Sequence, residues 1–365
     1  MAPAMIASAL LLLLAAPSSA FAPPSVNVAS KAGSTEAASS RSSLFASPSD
    51  GDDVAATETR TRREVLTAVA SAALSALGSV STPNLALADE DVVTAPPPPP
   101  PIEVYPTGDV KKLYGEGRVL ESQGNMNAAL RIYSKVTKIA PRFVYGWSSL
   151  GNAQVALGDL RSAEGSYTEA VDLCRAKNAE VDGEGRGGRR CDDFYVLLLN
   201  RGSLRLNDGR PKDALKDLEE SAVERGRPDA LVLQNRARAR EMNGYYFGAD
   251  QDYSVAISMT SNEVSPFWLR AAMVRFQLGN TDDAFNLLRR VEVRFPEAPE
   301  VRAAGAAMRA SRGEMDDARA LYLKIPDRAR LRFVDNDYLE RTVAWPPKMK
   351  EKLREVSVAA GDLSS

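Results

Sequence analysis

The sequence predicts an all-α solenoid of about six helix-turn-helix units, closed by a C-terminal capping helix. Two regularities and one absence carry this expectation. Gly124, Gly158, Gly209, Gly244, Gly279 and Gly313 recur at separations of 34, 51, 35, 35 and 34 residues, and each precedes an alanine by five: Ala129, Ala163, Ala214, Ala249, Ala284 and Ala318. An apolar residue follows each alanine by four, namely Tyr133, Tyr167, Leu218, Tyr253, Leu288 and Tyr322. The absence is histidine: the 365 residues contain none, and only two cysteines. No Ser-His-Asp or Cys-His pair, imidazole shuttle or histidine-ligated metal can therefore form. Two thiolates also fall short of a Cys-only zinc site. With 46 Lys+Arg against 48 Asp+Glu, the net charge of -2 lacks the basic excess that nucleic-acid partners call for.

The repeats begin only after a long N-terminal region. Residues 5–16 form an apolar run followed by Ser18, Ser19 and Ala20, which reads as a secretory signal peptide over residues 1–20. Such a run is too short for a membrane span. Residues 21–60 are rich in Ser, Ala, Thr and Pro without apolar periodicity, as in a disordered transit segment. In residues 61–88 the pair Arg62-Arg63 introduces an Ala-rich stretch that ends in Ala86-Leu87-Ala88, a small-residue cleavage site. Residues 65–87 are either cleaved there or kept as an anchor. The junction Ser19-Ala20-Phe21-Ala22-Pro23 resembles the targeting motif of plastid proteins in algae with secondary, red-lineage plastids. The Arg62-Arg63 segment is similar to the lumen-targeting signals read by the twin-arginine translocase. Together these resemblances imply a thylakoid-lumen protein. Residues 89–109 hold six successive prolines, Pro96–Pro101, a stiff polyproline II spacer.

Each later unit reads as two helices. In the second unit Trp147, Leu150, Gly151, Val155 and Leu157 form one stripe, Gly158-Asp159 turns the chain, and Ala163, Tyr167, Ala170 and Leu173 form the next. The glycine suits a left-handed residue that ends the first helix, and the alanine marks the closest helix crossing. The pattern Trp147-x-x-Leu150-Gly151…Gly158…Ala163…Tyr167…Ala170 resembles the tetratricopeptide repeat, in six units at about 110–143, 144–177, 195–228, 230–263, 265–298 and 299–332. Ala237, Ala272 and Ala306 replace the eighth-position glycine in the last three units. The resemblance implies a right-handed superhelix over 110–332, with an insertion loop at about 178–194. Residues 333–365 supply a cap and tail: Trp345-Pro346-Pro347 breaks the chain, Pro347 fits a first helical turn, and Met349, Leu353 and Val356 form a stripe.

No catalytic constellation, cofactor site or metal site is expected. Gly183–Gly188 has no preceding strand and is filled with arginine, so it reads as a basic loop and not a phosphate cradle. Asp192-Asp193 and Asp316-Asp317 stand where acids complement helix starts. Cys174 and Cys191 bracket the insertion, either as a disulfide staple or as two buried thiols. Function is expected on the inner faces of the first helices. Asn200, Asn235 and Arg270 occupy the sixth position of three successive units, with Asn152, Ser203, Arg238, Met242, Met273, Phe276 and Gln277 nearby. Amides and guanidinium groups suit a peptide backbone or carboxylate, while Met and Phe suit apolar side chains. The carboxylate clamp of chaperone-binding family members is matched at only two of five positions. These readings imply a non-catalytic scaffold for a protein or peptide partner, with assembly or maintenance of photosynthetic complexes as the implied context. A redox-responsive adaptor switched at Cys174–Cys191, or an enzyme built on a helical solenoid, are the alternatives.

Overall fold

The computed structural model describes residues 100–184, 189–260 and 263–363. The expected signal peptide, Phe21, the Arg62-Arg63 pair, the Ala86–Ala88 site and most of the proline run lie outside the described residues, as do residues 185–188 of the basic loop. Twelve helices follow as six hairpins: α1 Gly108–Ser122 with α2 Met126–Ile139, α3 Val144–Ala156 with α4 Leu160–Glu184, α5 Phe194–Asn207 with α6 Pro211–Arg225, α7 Ala230–Met242 with α8 Tyr246–Met259, α9 Phe267–Leu278 with α10 Thr281–Arg294, and α11 Pro299–Ser311 with α12 Met315–Leu323. Each helix packs on the next in chain order, which makes the assembly a solenoid of helical hairpins. Short turns then lead to α13 Asp327–Arg330, a 3₁₀ turn Leu331–Val334, a π turn Tyr338–Thr342 and α14 Pro347–Ala359. Among the described residues no helix is long and apolar enough to cross a membrane.

All six hairpin turns are built alike. Each turn glycine takes a positive φ, between 70° and 91°. The residue after it donates its amide to the carbonyl five residues back, as in Asn125 to Leu120, Asp159 to Gln154 and Tyr245 to Arg240 at 2.8–2.9 Å. This wide bond closes the first helix and needs a left-handed residue just before the donor. Past the turn, all six marker alanines and the six Tyr or Leu residues four positions later are buried. The aromatic ring lies over the eighth position of the first helix: a Cβ built on Gly151 would stand 2.7 Å from the Tyr167 ring. Where alanine fills that position, as at Ala237 and Ala306, it is itself fully buried beside the same stack.

The half-repeat insertion is mostly helix. α4 runs on to Glu184, so the expected loop over 178–194 begins with two further helical turns. Good helix formers without a breaker before Gly183 account for the extension. Asn178 on this extension accepts the Cys191 amide at 2.7 Å, and Cys174 and Cys191 form a disulfide with Cα atoms 5.5 Å apart, within the ordinary span of such a bond. The residues expected as the end of a linker also pack: Ile102 and Val104 are buried against Val144, Ala170, Cys174 and Phe194. Glu103 joins Phe143 in a single parallel bridge, with Glu103 N to Arg142 O and Val144 N to Glu103 O both 3.0 Å.

The C-terminal segment does more than cover the last edge. α14 packs mainly on α11, reaches α9, and meets α12 through Ser357 Oγ and the Tyr322 hydroxyl at 3.1 Å. Pro347 stands in its first turn, as expected. α11 answers with small side chains, Ala303, Ala304, Ala307 and Ala310, and is buried almost all round. By contrast Gly117 is the one buried residue of α1.

The turn geometry predicts opposite effects for two glycines of one hairpin. Gly158→Ala should destabilise by about 1–2 kcal/mol, because φ +82° penalises a Cβ. Gly165→Ala, on α4 with nothing within 4 Å, should stabilise by about 0.5–1 kcal/mol. Denaturant midpoints at constant slope check both signs. For the staple, non-reducing peptide mapping should recover a Cys174–Cys191 peptide, and Cys174→Ser should cost about 2–4 kcal/mol. Free alkylated thiols at both positions would exclude it.

Candidate functional site

The first helices of the hairpins, α1, α3, α5, α7, α9 and α11, present one face away from their partners. Polar groups there are held by the second helices. The Tyr133 hydroxyl donates to Glu121 at 2.6 Å, Tyr167 to Asn152 at 2.8 Å and Tyr253 to Glu241 at 3.1 Å. Burial, then the neighbouring Glu121 carboxylate, drives the Tyr133 hydroxyl well above its ordinary pKa, so it stays a donor. Asn152 is thus oriented by the core. Ser203 Oγ donates to Asn235 Oδ1 at 3.1 Å, and Asn235 Nδ2 donates to the Leu231 carbonyl at 2.9 Å, which ties α5 to α7. Asn200, on α5, is buried.

Toward the C-terminus the arrangement departs from an open groove. Arg270 is buried and pairs with Glu241, its Nε 3.2 Å from Oε2. Its Nη1 donates to Val343 O at 3.0 Å and its Nη2 to Ala344 O at 2.7 Å. Arg238 donates to the same two carbonyls, at 2.8 Å to Val343 and 3.4 Å to Ala344, and stands 3.2 Å from Glu241. Burial, reinforced by the Arg270 charge, lowers the Arg238 pKa below its ordinary value. Gln277 Oε1 accepts the Lys348 amide at 2.9 Å and so caps the start of α14. Met273 and Phe276 belong to the buried cluster that holds Trp345, Met349, Leu353 and Val356. Arg238, Arg270 and Gln277, expected to face an outside ligand, are met here by Val343, Ala344 and Lys348 of the chain itself, and Met273 and Phe276 lie in the buried cluster beside them. Met242 is half-buried against the α5–α7 core instead.

Two features escaped the sequence reading. Glu121 and Glu241 stand twelve residues before a wedge tyrosine, a spacing that recurs and was there to be found. A ladder of ions also locks α5 to α6 and α7 to α8: Arg201 and Arg205 on Asp217, then Arg236 and Arg240 on Asp252, each residue displaced by 35. Asp193 stands at the N-cap of α5, at the helix start as expected, and its carboxylate accepts from the Tyr145 hydroxyl at 3.0 Å rather than from the helix's own amides. Among the described residues no group of His, Cys, Asp and Glu is placed to hold a metal.

The last two hairpins carry the match to a known family. Residues 269–330 match the family model for the tetratricopeptide repeat. That stretch runs from α9 through α13, the hairpins on which the C-terminal segment rests. No curated protein matches the sequence. Among solved structures, the chain is similar to a tetratricopeptide repeat protein from Parabacteroides merdae, at 18% identity over 70% of this chain and 93% of that one, with a TM-score of 0.47. It is similar to PilW, a type IV pilus biogenesis factor, at 12% identity over 68% and 100% with a TM-score of 0.48. YrrB, described as a tetratricopeptide repeat protein with an unusual peptide-binding site, aligns at 14% identity over 52% and 88% with a TM-score of 0.42.

Glu300, at the start of α11, offers a test of the buried charge here. Burial raises its carboxyl pKa against the pull of Arg270 and Arg238. A raised carboxyl pKa means that the folded state holds the proton more tightly than the unfolded chain. Ionisation therefore weighs against folding above the ordinary glutamate value of about 4.3. Glu300→Gln should raise the melting temperature at pH 7, and the gain should shrink to nothing as pH falls below about 4. Thermal unfolding at both pH values measures this, and a lowered midpoint at pH 7 contradicts it.

Proposed function

We propose that this chain is a non-catalytic protein-interaction scaffold whose inner helix faces hold an extended peptide. The observation that supports it is direct: Arg238 and Arg270, from neighbouring hairpins, already hold two successive main-chain carbonyls at 2.7–3.4 Å. A surface that bonds backbone rather than side chains reads a peptide largely without regard to its sequence. With the C-terminal half covered, the outside partner docks along α3, α5 and α7. There Asn200, Ser203, Asn235 and the core-oriented Asn152 supply polar groups.

The proposed setting is the thylakoid lumen, with assembly or maintenance of photosynthetic complexes as the role. This rests on the resemblance of the N-terminal segments to plastid and twin-arginine signals. The Cys174–Cys191 disulfide is consistent with an oxidising compartment. The test is a crosslinking pull-down from thylakoid lumen with the wild-type chain against Asn200→Ala/Asn235→Ala. Loss of a crosslinked partner in the variant, at unchanged melting temperature, is the expected result. Equal recovery of the same partners by both baits would remove the groove assignment.

A further inference from the structure

The segment from Val343 to Pro346 is held as a ligand is held. Its carbonyls, not its side chains, meet Arg238 and Arg270, and a single large side chain, Trp345, is sunk beside them among Phe333, Met349 and the α9–α11 core. The fit is imperfect in two ways. Ala344 has φ 45°, the one positive value at a residue other than glycine among the described residues. Trp345 Nε1 is buried without a hydrogen-bond partner. A left-handed alanine and an orphaned indole N–H are both unfavourable, so the segment is seated with strain stored against its own docking. The connection to it is equally unlike the hairpins: a one-turn helix, a 3₁₀ turn and a π turn in succession, with Leu331 exposed.

The charges indicate what would fit better. At this point two guanidinium groups pair directly with one carboxylate, Glu241; Glu300 acts on them only through space, and their other hydrogen-bond partners are neutral carbonyl oxygens. A carboxylate in their place would make charge-assisted and bidentate hydrogen bonds, about twice as strong as those of a neutral acceptor. We propose that residues 343–346 are a built-in ligand that closes the Arg238–Arg270 site, and that they give way to a partner peptide presenting an acidic residue next to an aromatic one. This deepens the scaffold reading and rests on it. It adds a second site, chemically distinct from the Asn200–Asn235 face, and a means of regulation in which the partner peptide competes with the chain's own.

Two labelled peptides test this by fluorescence anisotropy on the full chain: residues 339–349 as they stand, and the same peptide with Ala344→Asp. The acidic peptide should bind more tightly than its parent. Trp345→Ala, which weakens the internal occupant, should raise apparent affinity about ten- to hundredfold by freeing the competent state. Adding Arg238→Gln to that variant should reverse most of the gain. Equal affinity of wild type and Trp345→Ala, or no preference for the acidic peptide, overturns the proposal. Should Trp345→Ala fail to fold, hydrogen exchange on the wild type decides. With excess acidic peptide the amides of residues 348–359 should exchange about tenfold faster while those of α9 do not change, and unchanged exchange in α14 overturns the proposal. If the peptide fails here while Asn200→Ala/Asn235→Ala still loses its partner, the scaffold reading stands and this inference alone falls.

Discussion

A two-helix hairpin has one apolar stripe too many to bury against itself, and that constraint shapes the whole chain. Tyr133, Tyr167, Tyr253 and Tyr322 are each almost wholly buried, yet each is sealed partly by a helix of the following hairpin or, for Tyr322, by α14. Stacking is therefore obligatory, and its register is set by one backbone device. The left-handed glycine and the wide hydrogen bond after it fix where the second helix starts, and so place the alanine at the crossing and the ring over the eighth position. Because the device is local, the same geometry is regenerated six times from six short sequence signals.

The stack has to end, and its end shows what an uncovered hairpin demands. α11 is buried on nearly every side because α14 lies across the face that the earlier first helices leave open. Small side chains on α11 let that helix approach closely, and the Arg238–Arg270–Glu241 group fastens the incoming chain through its backbone. Isolated buried ions would destabilise such a junction. Here every guanidinium finds either a carboxylate or a carbonyl, which is the condition under which buried charge is tolerated.

What was legible in the sequence was whatever recurs within one repeat. The turn glycines, crossing alanines and wedge tyrosines announce themselves at a 34-residue spacing, and even the first-turn role of Pro347 follows from local backbone chemistry. The inner-face positions were read from helical phase alone, and what covers them was not legible. Arg270 meets Val343 and Ala344 across 73 and 74 residues, and Arg238 meets them across 105 and 106, with no local pattern to betray the pairing. The helical extension of α4 was hidden for a different reason: a count of repeat units treats whatever exceeds the period as loop, although residues 175–182 are ordinary helix formers. The ion ladder from Arg201 to Asp252 repeats at 35 and was overlooked because charges on a helix surface usually carry little weight.

The docked C-terminal segment also divides the molecule in time. Hairpins α1–α2 and α3–α4 are closed by neighbours that follow at once in the chain, so they can form from local contacts as soon as those neighbours exist. The inner faces of α7, α9 and α11 are completed only by residues 343–359, more than a hundred positions after Arg238. Contacts of such separation form late, and until they do the buried face of α11 and the Arg238–Arg270 pair stand uncovered. The N-terminal hairpins are thus a self-sufficient beginning, whereas the C-terminal ones stay unfinished until the chain returns to them.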